Sequence, residues 1–307
     1  MAETFAVSGT VYSGRIIQKV GEKSPSVKTG PMSPIAMFDS GVGGLTVLRE
    51  VMKQLPMEQV IYFADTARVP YGGRTPNEII KFNKEILDFL ISLGAKAVIM
   101  ACGTSSAIAY PILKDRYSVP MVSLIEPGAY AAVRATRNNK IGLIATQATV
   151  DSSAYQRTIK KMKKDVKVFS AACPLFVPLI EGGFTDAEET KKTALAYMKP
   201  LLKAGIDTLI LGCTHYPHLI KVLREVSGMS VKFVDPAEEA VSETKKLISS
   251  KGLAATRPVQ SFRDKYSFFV SGSVAQFQDV GGKLMGQPIV NVKKTSISKT
   301  GRINMAR

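Results

Sequence analysis

The chain has 307 residues, 45% of them hydrophobic, which is enough for two ordinary domains or one large one. Its longest apolar stretches, such as Ala97–Ala101, are far too short to cross a bilayer, and the first 31 residues hold no apolar run of the secretory kind, so a soluble cytoplasmic protein with no membrane partner is expected. With 41 Lys/Arg against 25 Asp/Glu the net charge is +16, and three widely spaced cysteines, Cys102, Cys173 and Cys213, exclude a disulfide framework and fit reduced thiols.

Residues 1–33 read as an N-terminal extension rich in Gly, Ser and Lys, with room for a short hairpin over Thr10–Val20. From Pro34 onward, short β-branched runs alternate with stretches of helical period. The strands expected in order are Ile35–Phe38, Val60–Ala64, Ala97–Ala101, Met121–Ile125, Ile141–Ala145, Val166–Phe169, Thr208–Leu211 and Val231–Val234. Asn77–Leu93 and Asp186–Lys203 read as helices. Strands apolar on both faces, alternating with helices, predict an α/β fold with mainly parallel sheets covered on both sides. Phe268–Val270 and Ile289–Val292 are two further strands, and residues 293–307 are expected to fray as a basic tail.

Ligands of open α/β sheets bind beyond the carboxyl ends of the strands. Four such ends carry polar residues here: Asp39-Ser40 with the glycines at 41, 43 and 44; Asp65 with Tyr71-Gly72; Cys102-Gly103-Thr104; and Cys213-Thr214-His215. Two of them are alike, each placing a thiol just past an apolar strand and at an expected helix start, 111 residues apart. A helix N-terminus favours the thiolate, which would make both cysteines reactive. Cys173, set in Ala171-Ala172-Cys173-Pro174-Leu175, reads as an inert core residue.

Other chemistries fit less well. The glycine loop at 41–44 has half of a dinucleotide fingerprint, with Asp65 at the right distance, but Thr46 holds the third glycine position. A tight turn bringing Asp39 and Ser40 to a cleft is the better reading. Cys213, His215 and His218 are compact enough to suggest zinc, yet no second pair of ligands is evident, so no metal is expected. The basic clusters, at 157–167 and in residues 251–307 with ten Lys/Arg, suit an acidic ligand or nucleic acid; a solvated basic face explains them equally.

Five segments in order, FDSGVGGLTVLREV (38–51), YFADTARVPYGGR (62–74), VIMACGTSSA (98–107), ACPLFVPLIEGG (172–183) and LILGCTHYPHL (209–219), make the chain resemble the glutamate racemases of the aspartate/glutamate racemase superfamily. The resemblance spans about residues 35–292. It implies two flavodoxin-like domains related by pseudo-twofold symmetry, 34–126 plus 236–292 and 127–235, with the active site between them. It also implies cofactor-independent racemisation of L- and D-glutamate for peptidoglycan, and frequent homodimers. Carried over by position, Cys102 and Cys213 are the catalytic acid/bases. The chemistry asks for groups that set their protonation states, and Asp39, Glu181 and His215 are the expected helpers, Asp39 for Cys102 and His215 for Cys213, with sequence spacing supporting proximity for His215 alone. Asp39, Ser40, Tyr71, Gly72, Gly103, Thr104, Thr149, Thr214 and His215 match substrate-binding positions. One departure stands out: the family often reads ACNT where this chain reads ACGT, so Gly103 lacks the amide side chain that would contact the bound amino acid. An aspartate racemase of the same fold, or a binding protein acting through the basic surface, remain the alternatives.

Overall fold

Residues 28–298 and 300–305 are described by the computed structural model of the chain; the expected hairpin at Thr10–Val20 lies outside them. The strands are β1 (Ile35–Asp39), β2 (Val60–Ala64), β3 (Ala97–Met100), β4 (Met121–Val122), β5 (Lys140–Ala145), β6 (Lys167–Ala172), β7 (Thr208–Leu211), β8 (Lys232–Val234), β9 (Tyr266–Val270), β10 (Val292–Ile297) and β11 (Ile303–Met305). They form two sheets, in the orders β11-β10-β9-β2-β1-β3-β4 and β6-β5-β7-β8, parallel throughout except for the antiparallel β10–β11 pair. Counted within each sheet, β2-β1-β3-β4 and β6-β5-β7-β8 have the same 2-1-3-4 order. Each therefore reverses direction of winding between its first and third strands, which is where ligands bind in such sheets.

The period-2 alternation of the strands separates two cores on each sheet. In β1, Ile35 and Met37 face a cluster completed by the helices Leu45–Gln54 and Pro236–Ser250, while Ala36 and Phe38 face the helix Pro76–Ser92. In β5, Ile141, Leu143 and Ala145 pack toward the helices Ile125–Ala135 and Ala154–Met162. Ile144 packs toward Glu188–Lys203 and Ile220–Ser227. The helix over 76–92 starts where its sequence dictates: Thr75 and Glu78 form a capping box and Pro76 takes the first position.

Three expectations are corrected. The strand at Met121–Ile125 stops at Val122, because the Leu124 N–H donates to Ser106 Oγ (3.1 Å) and Ile125 opens a helix whose first turn accommodates Pro127. The run at Ile289–Val292 is not a strand; β10 starts at Val292 and continues to Ile297. Residues 293–298 and 300–305 are therefore not a frayed tail. Thr295 is buried and its hydroxyl donates to the Val270 carbonyl (2.9 Å), Ile303 joins the core, and Lys294 donates to the Ser271 carbonyl (2.8 Å).

Below β1 and β3, at the end away from the strands' carboxyl ends, Lys96 and Glu58 form an ion pair at 2.5 Å with side chains 0% and 3% exposed. Lys96 also donates to the Pro31 carbonyl (2.5 Å), and Glu58 accepts from the Ala255 N–H (2.8 Å), so the pair fastens two chain segments to the sheet. Removing one partner strands a buried charge. Lys96→Ala should lower unfolding stability by about 3–5 kcal/mol in chemical denaturation, whereas Lys96→Met with Glu58→Leu should cost much less.

Candidate active site

The loop that leaves β1 turns sharply so that Asp39, 1% exposed, accepts hydrogen bonds from the Gly41 and Gly44 N–H groups (3.2 and 3.0 Å) through Oδ2. Burial raises the Asp39 pKa above the usual carboxylate value, against the opposing pull of His215, of the two N–H groups and of a hydrogen bond with Cys102. Asp39 and Cys102 are thus neighbours.

Cys102 caps the short helix Gly103–Ile108 at the end of β3. Its thiol is pushed up to about 12 by burial first and by the Asp39 charge second; the Ser105 N–H and hydroxyl facing the sulfur, which favour the thiolate, do not compensate. This corrects the expectation of a low thiol pKa at a helix start. A dry site beside a carboxylate outweighs one turn of helix dipole.

Cys213 departs from expectation in another way. It does not start a helix: Cys213 lies in a bend and Thr214–His215 in a turn, and the following residues Tyr216–Leu219 make a 3-10 turn containing Pro217 before the helix Ile220–Ser227. The turn bends His215 back onto the sulfur, with Nδ1 3.8 Å from Cys213 Sγ, while Nε2 lies 3.0 Å from Glu181 Oε1. Burial alone would lower the His215 pKa. The hydrogen bonds to Cys213 and Glu181, with the charges of Cys213 and Asp39, outweigh burial and raise it from 6.5 to about 10. His218, by contrast, is lowered to about 4 by burial and by the nearby charges of His215 and Arg49. Among the described residues no group of three His, Cys, Asp or Glu side chains is placed to hold a metal ion.

The glycine loop has a packing reason. A Cβ on Gly43 would lie 2.3 Å from His215 Nδ1 and 2.6 Å from Thr214 Oγ1, and Gly44 is hemmed in by Tyr62 and Asp39. Thr46 ties the same seam, its hydroxyl lying within hydrogen-bond distance of the Gly43 and Thr214 carbonyls (3.0 and 3.1 Å). Ser40 and Thr214 are nearly buried beside it.

The other wall is built of hydroxyls. Thr104 Oγ1 lies 2.9 Å from Thr146 Oγ1, which lies 2.9 Å from Thr149 Oγ1, so Thr104 and Thr149 are joined through a residue the sequence reading passed over. Thr146 follows β5 directly, and the strand-end rule that found the cysteines would have found it. Gly72 packs its Cα side against Thr146. Tyr71 is 2% exposed and its phenol donates to Asp65, a carboxylate also held by Arg68 (2.6 Å) and Ser271 (2.7 Å). Arg68 binds Glu85 as well. Tyr71 can meet a ligand through its backbone, and Arg68 is held by Asp65 and Glu85 through Nε and Nη1 while its buried Nη2 has no hydrogen-bond partner. Cys173 is buried in the core, its pKa raised by burial, and its carbonyl accepts from the Tyr216 hydroxyl (3.1 Å).

The sequence profile of the Asp/Glu/Hydantoin racemase family matches residues 43–244, which include both thiol loops. The chain belongs to this family. A glutamate racemase of Geobacter metallireducens is 45% identical over 87% of this chain and 98% of its own length, and one of Neisseria meningitidis is 42% identical over 87% and 98%. Among solved structures, a glutamate racemase isoform from Bacillus anthracis superposes with a TM-score of 0.81 at 35% identity, covering 86% of this chain and 100% of that one. The Francisella tularensis glutamate racemase in complex with D-glutamate gives 0.80 at 35%, covering 87% and 98%. The chain therefore has the two-domain α/β fold of those enzymes, and the loops that follow strands of its two sheets touch, as Gly43 against His215 and Thr104 against Thr146 show. No helix among its described residues is long and apolar enough to cross a membrane.

The raised His215 pKa has a measurable consequence. The folded state binds this proton more tightly than the unfolded chain, so the stabilisation is complete below pH 6.5 and is lost as pH climbs through about 10. Thermal denaturation of wild type and His215→Asn across that window should show a wild-type advantage that shrinks toward alkaline pH. A constant difference would contradict the assigned charge on His215.

Proposed function

We propose that the chain interconverts L- and D-glutamate without a cofactor, using Cys102 and Cys213 as the acid/base pair. The observation that supports this best is the equivalence of the two thiols: each follows the third strand of its own 2-1-3-4 sheet, and each has its own polar helper, Asp39 on one side and the His215–Glu181 pair on the other. The glutamate racemases to which the chain is similar supply the substrate.

Racemisation breaks the Cα–H bond on one face and makes it on the other. In one direction the Cys213 thiolate takes the Cα proton, the electron pair passes into the substrate carboxylate, and the Cys102 thiol gives its proton to the opposite face, becoming the thiolate. The reverse direction exchanges the roles. The Cys102 thiol held up to about 12 by burial and Asp39 is protonated at neutral pH and ready to donate. The His215 imidazolium stands as the hydrogen-bond donor to Cys213. The negative charge that develops on the carboxylate calls for preorganised donors, and we assign Ser40, Thr104, Thr149, Thr214 and the backbone at Tyr71, Gly72 and Gly103 to the substrate, with Thr146 added to them.

We further propose that the product serves peptidoglycan synthesis in the cytoplasm, that the active unit is a homodimer, and that 34–126 plus the chain from 236 onward forms one domain and 127–235 the other. A nucleic-acid partner for the +16 charge finds no support in the site.

Proton NMR of D- and L-glutamate in heavy water tests the reaction. Wild type should exchange the α-proton and racemise either enantiomer with no additive, and should be far slower on aspartate. Cys102→Ala and Cys213→Ala should each lose racemisation by at least about a hundredfold, while Cys173→Ala retains it. Turnover of aspartate in place of glutamate would overturn the substrate assignment, and a racemising Cys213→Ala would overturn the two-thiol mechanism.

A further inference from the structure

The loop after β3 and the loop after β7 meet backbone to backbone at Gly103. An ideal Cβ there would lie 2.2 Å from the Gly212 carbonyl oxygen and 3.6 Å from Cys213 Cα, where 3.0 Å is about the least a real Cβ shows. The obstacle is main chain, which cannot swing aside as a long side chain does. Neither partner has slack. The Gly212 N–H donates to the Ile144 carbonyl (2.8 Å), and a Cβ on Gly212 would itself run into Leu143 and the Ile144 carbonyl. On the other side, Gly103 is the first residue of a helix whose Ser106 N–H is bonded to the Cys102 carbonyl (2.9 Å).

Gly103 is absent from the glycines that take a positive φ. Its backbone conformation is open to any residue, so what calls for glycine here is space alone. Gly103 adjoins Cys102, and Gly212 adjoins Cys213, so the contact lies directly between the two thiol-bearing residues.

We propose that Gly103 is a positioning residue that sets the separation of the two catalytic thiols by letting their loops touch main chain to main chain. The inference rests on the two-thiol reaction proposed above. The Gly212 carbonyl occupies the place where any side chain at position 103 would begin. Proton transfer needs each sulfur within hydrogen-bond reach of the same carbon from opposite faces. Widening the seam removes one sulfur from reach before both. Exchange on a single face survives that: one thiolate takes the Cα proton, the new S–H trades it for solvent deuterium, and the deuteron returns to the same face. Inversion does not survive it.

The test compares wild type and Gly103→Ala on enantiopure glutamate in heavy water, reading total α-proton loss by NMR and inversion by polarimetry. Gly103→Ala should lose inversion at least about tenfold while exchange with retention falls less than about threefold, so their ratio shifts; Gly103→Asn should shift it further. Gly30→Ala, at a glycine with open space around it, should keep the wild-type ratio. If wild type racemises glutamate and Gly103→Ala has the same ratio, whether both rates are intact or both fall together, the positioning role is wrong and the reaction assignment stands. If wild type exchanges no glutamate proton at all, the reaction assignment fails and the role falls with it. Wild type gives a second reading that needs no folded variant: exchange with retention should be the minor process beside inversion, and its dominance would overturn the proposal.

Discussion

Every group in the cleft answers to the cost of holding charge away from water. Asp39, Cys102 and His215 are all buried, and for each the largest single influence on its proton is desolvation. Burial favours the uncharged form, so it keeps Cys102 as a thiol and opposes charge on Asp39. On the far side the same burial opposes the imidazolium, and there it loses because Glu181, the Cys213 sulfur and Asp39 surround the ring with negative charge. The two halves of the site are similar in strand topology and different in electrostatics. One side is a carboxylate beside a thiol; the other is a carboxylate, a cation and a sulfur in a row.

That arrangement depends on loops meeting without intervening side chains. Gly43 lies against His215 and Thr214, Gly103 against Gly212, and Gly72 against Thr146. Each seam joins an element of the first sheet to an element of the second. The water-poor environment that sets the proton affinities is therefore a product of small residues at strand ends, where a larger side chain would hold the walls apart.

Much of this was legible in the sequence, for identifiable reasons. Val60–Ala64 and Thr208–Leu211 are continuous apolar runs in buried parallel strands, and their limits match the structure. The thiols were visible because each follows such a run. β10 was misplaced because an outer strand with Lys293 and Lys294 carries no continuous apolar signal, although Val292, Thr295, Ile297 and Ile303 anchor this region inward. The helix-start argument failed for Cys213 because Pro217 and the preceding turn delay the helix. It also misjudged Cys102, whose proton affinity is set by neighbours distant in sequence. The contact between Glu181 and His215, 34 residues apart, and the close approach of Gly103 to the Gly212 carbonyl exist only in three dimensions.

The unequal helpers have a thermodynamic corollary. Enantiomers in an achiral solvent have equal free energies, so any racemase works on an equilibrium constant of one, and the Haldane relation then requires kcat/KM to be identical for the two substrates. An active site of the proposed form, with Asp39 on one face and an imidazolium–carboxylate pair on the other, is free to bind one enantiomer more tightly only by turning it over more slowly in the same proportion. Chemical asymmetry of the cleft thus governs which enantiomer saturates the enzyme first at a given concentration and leaves the final composition untouched.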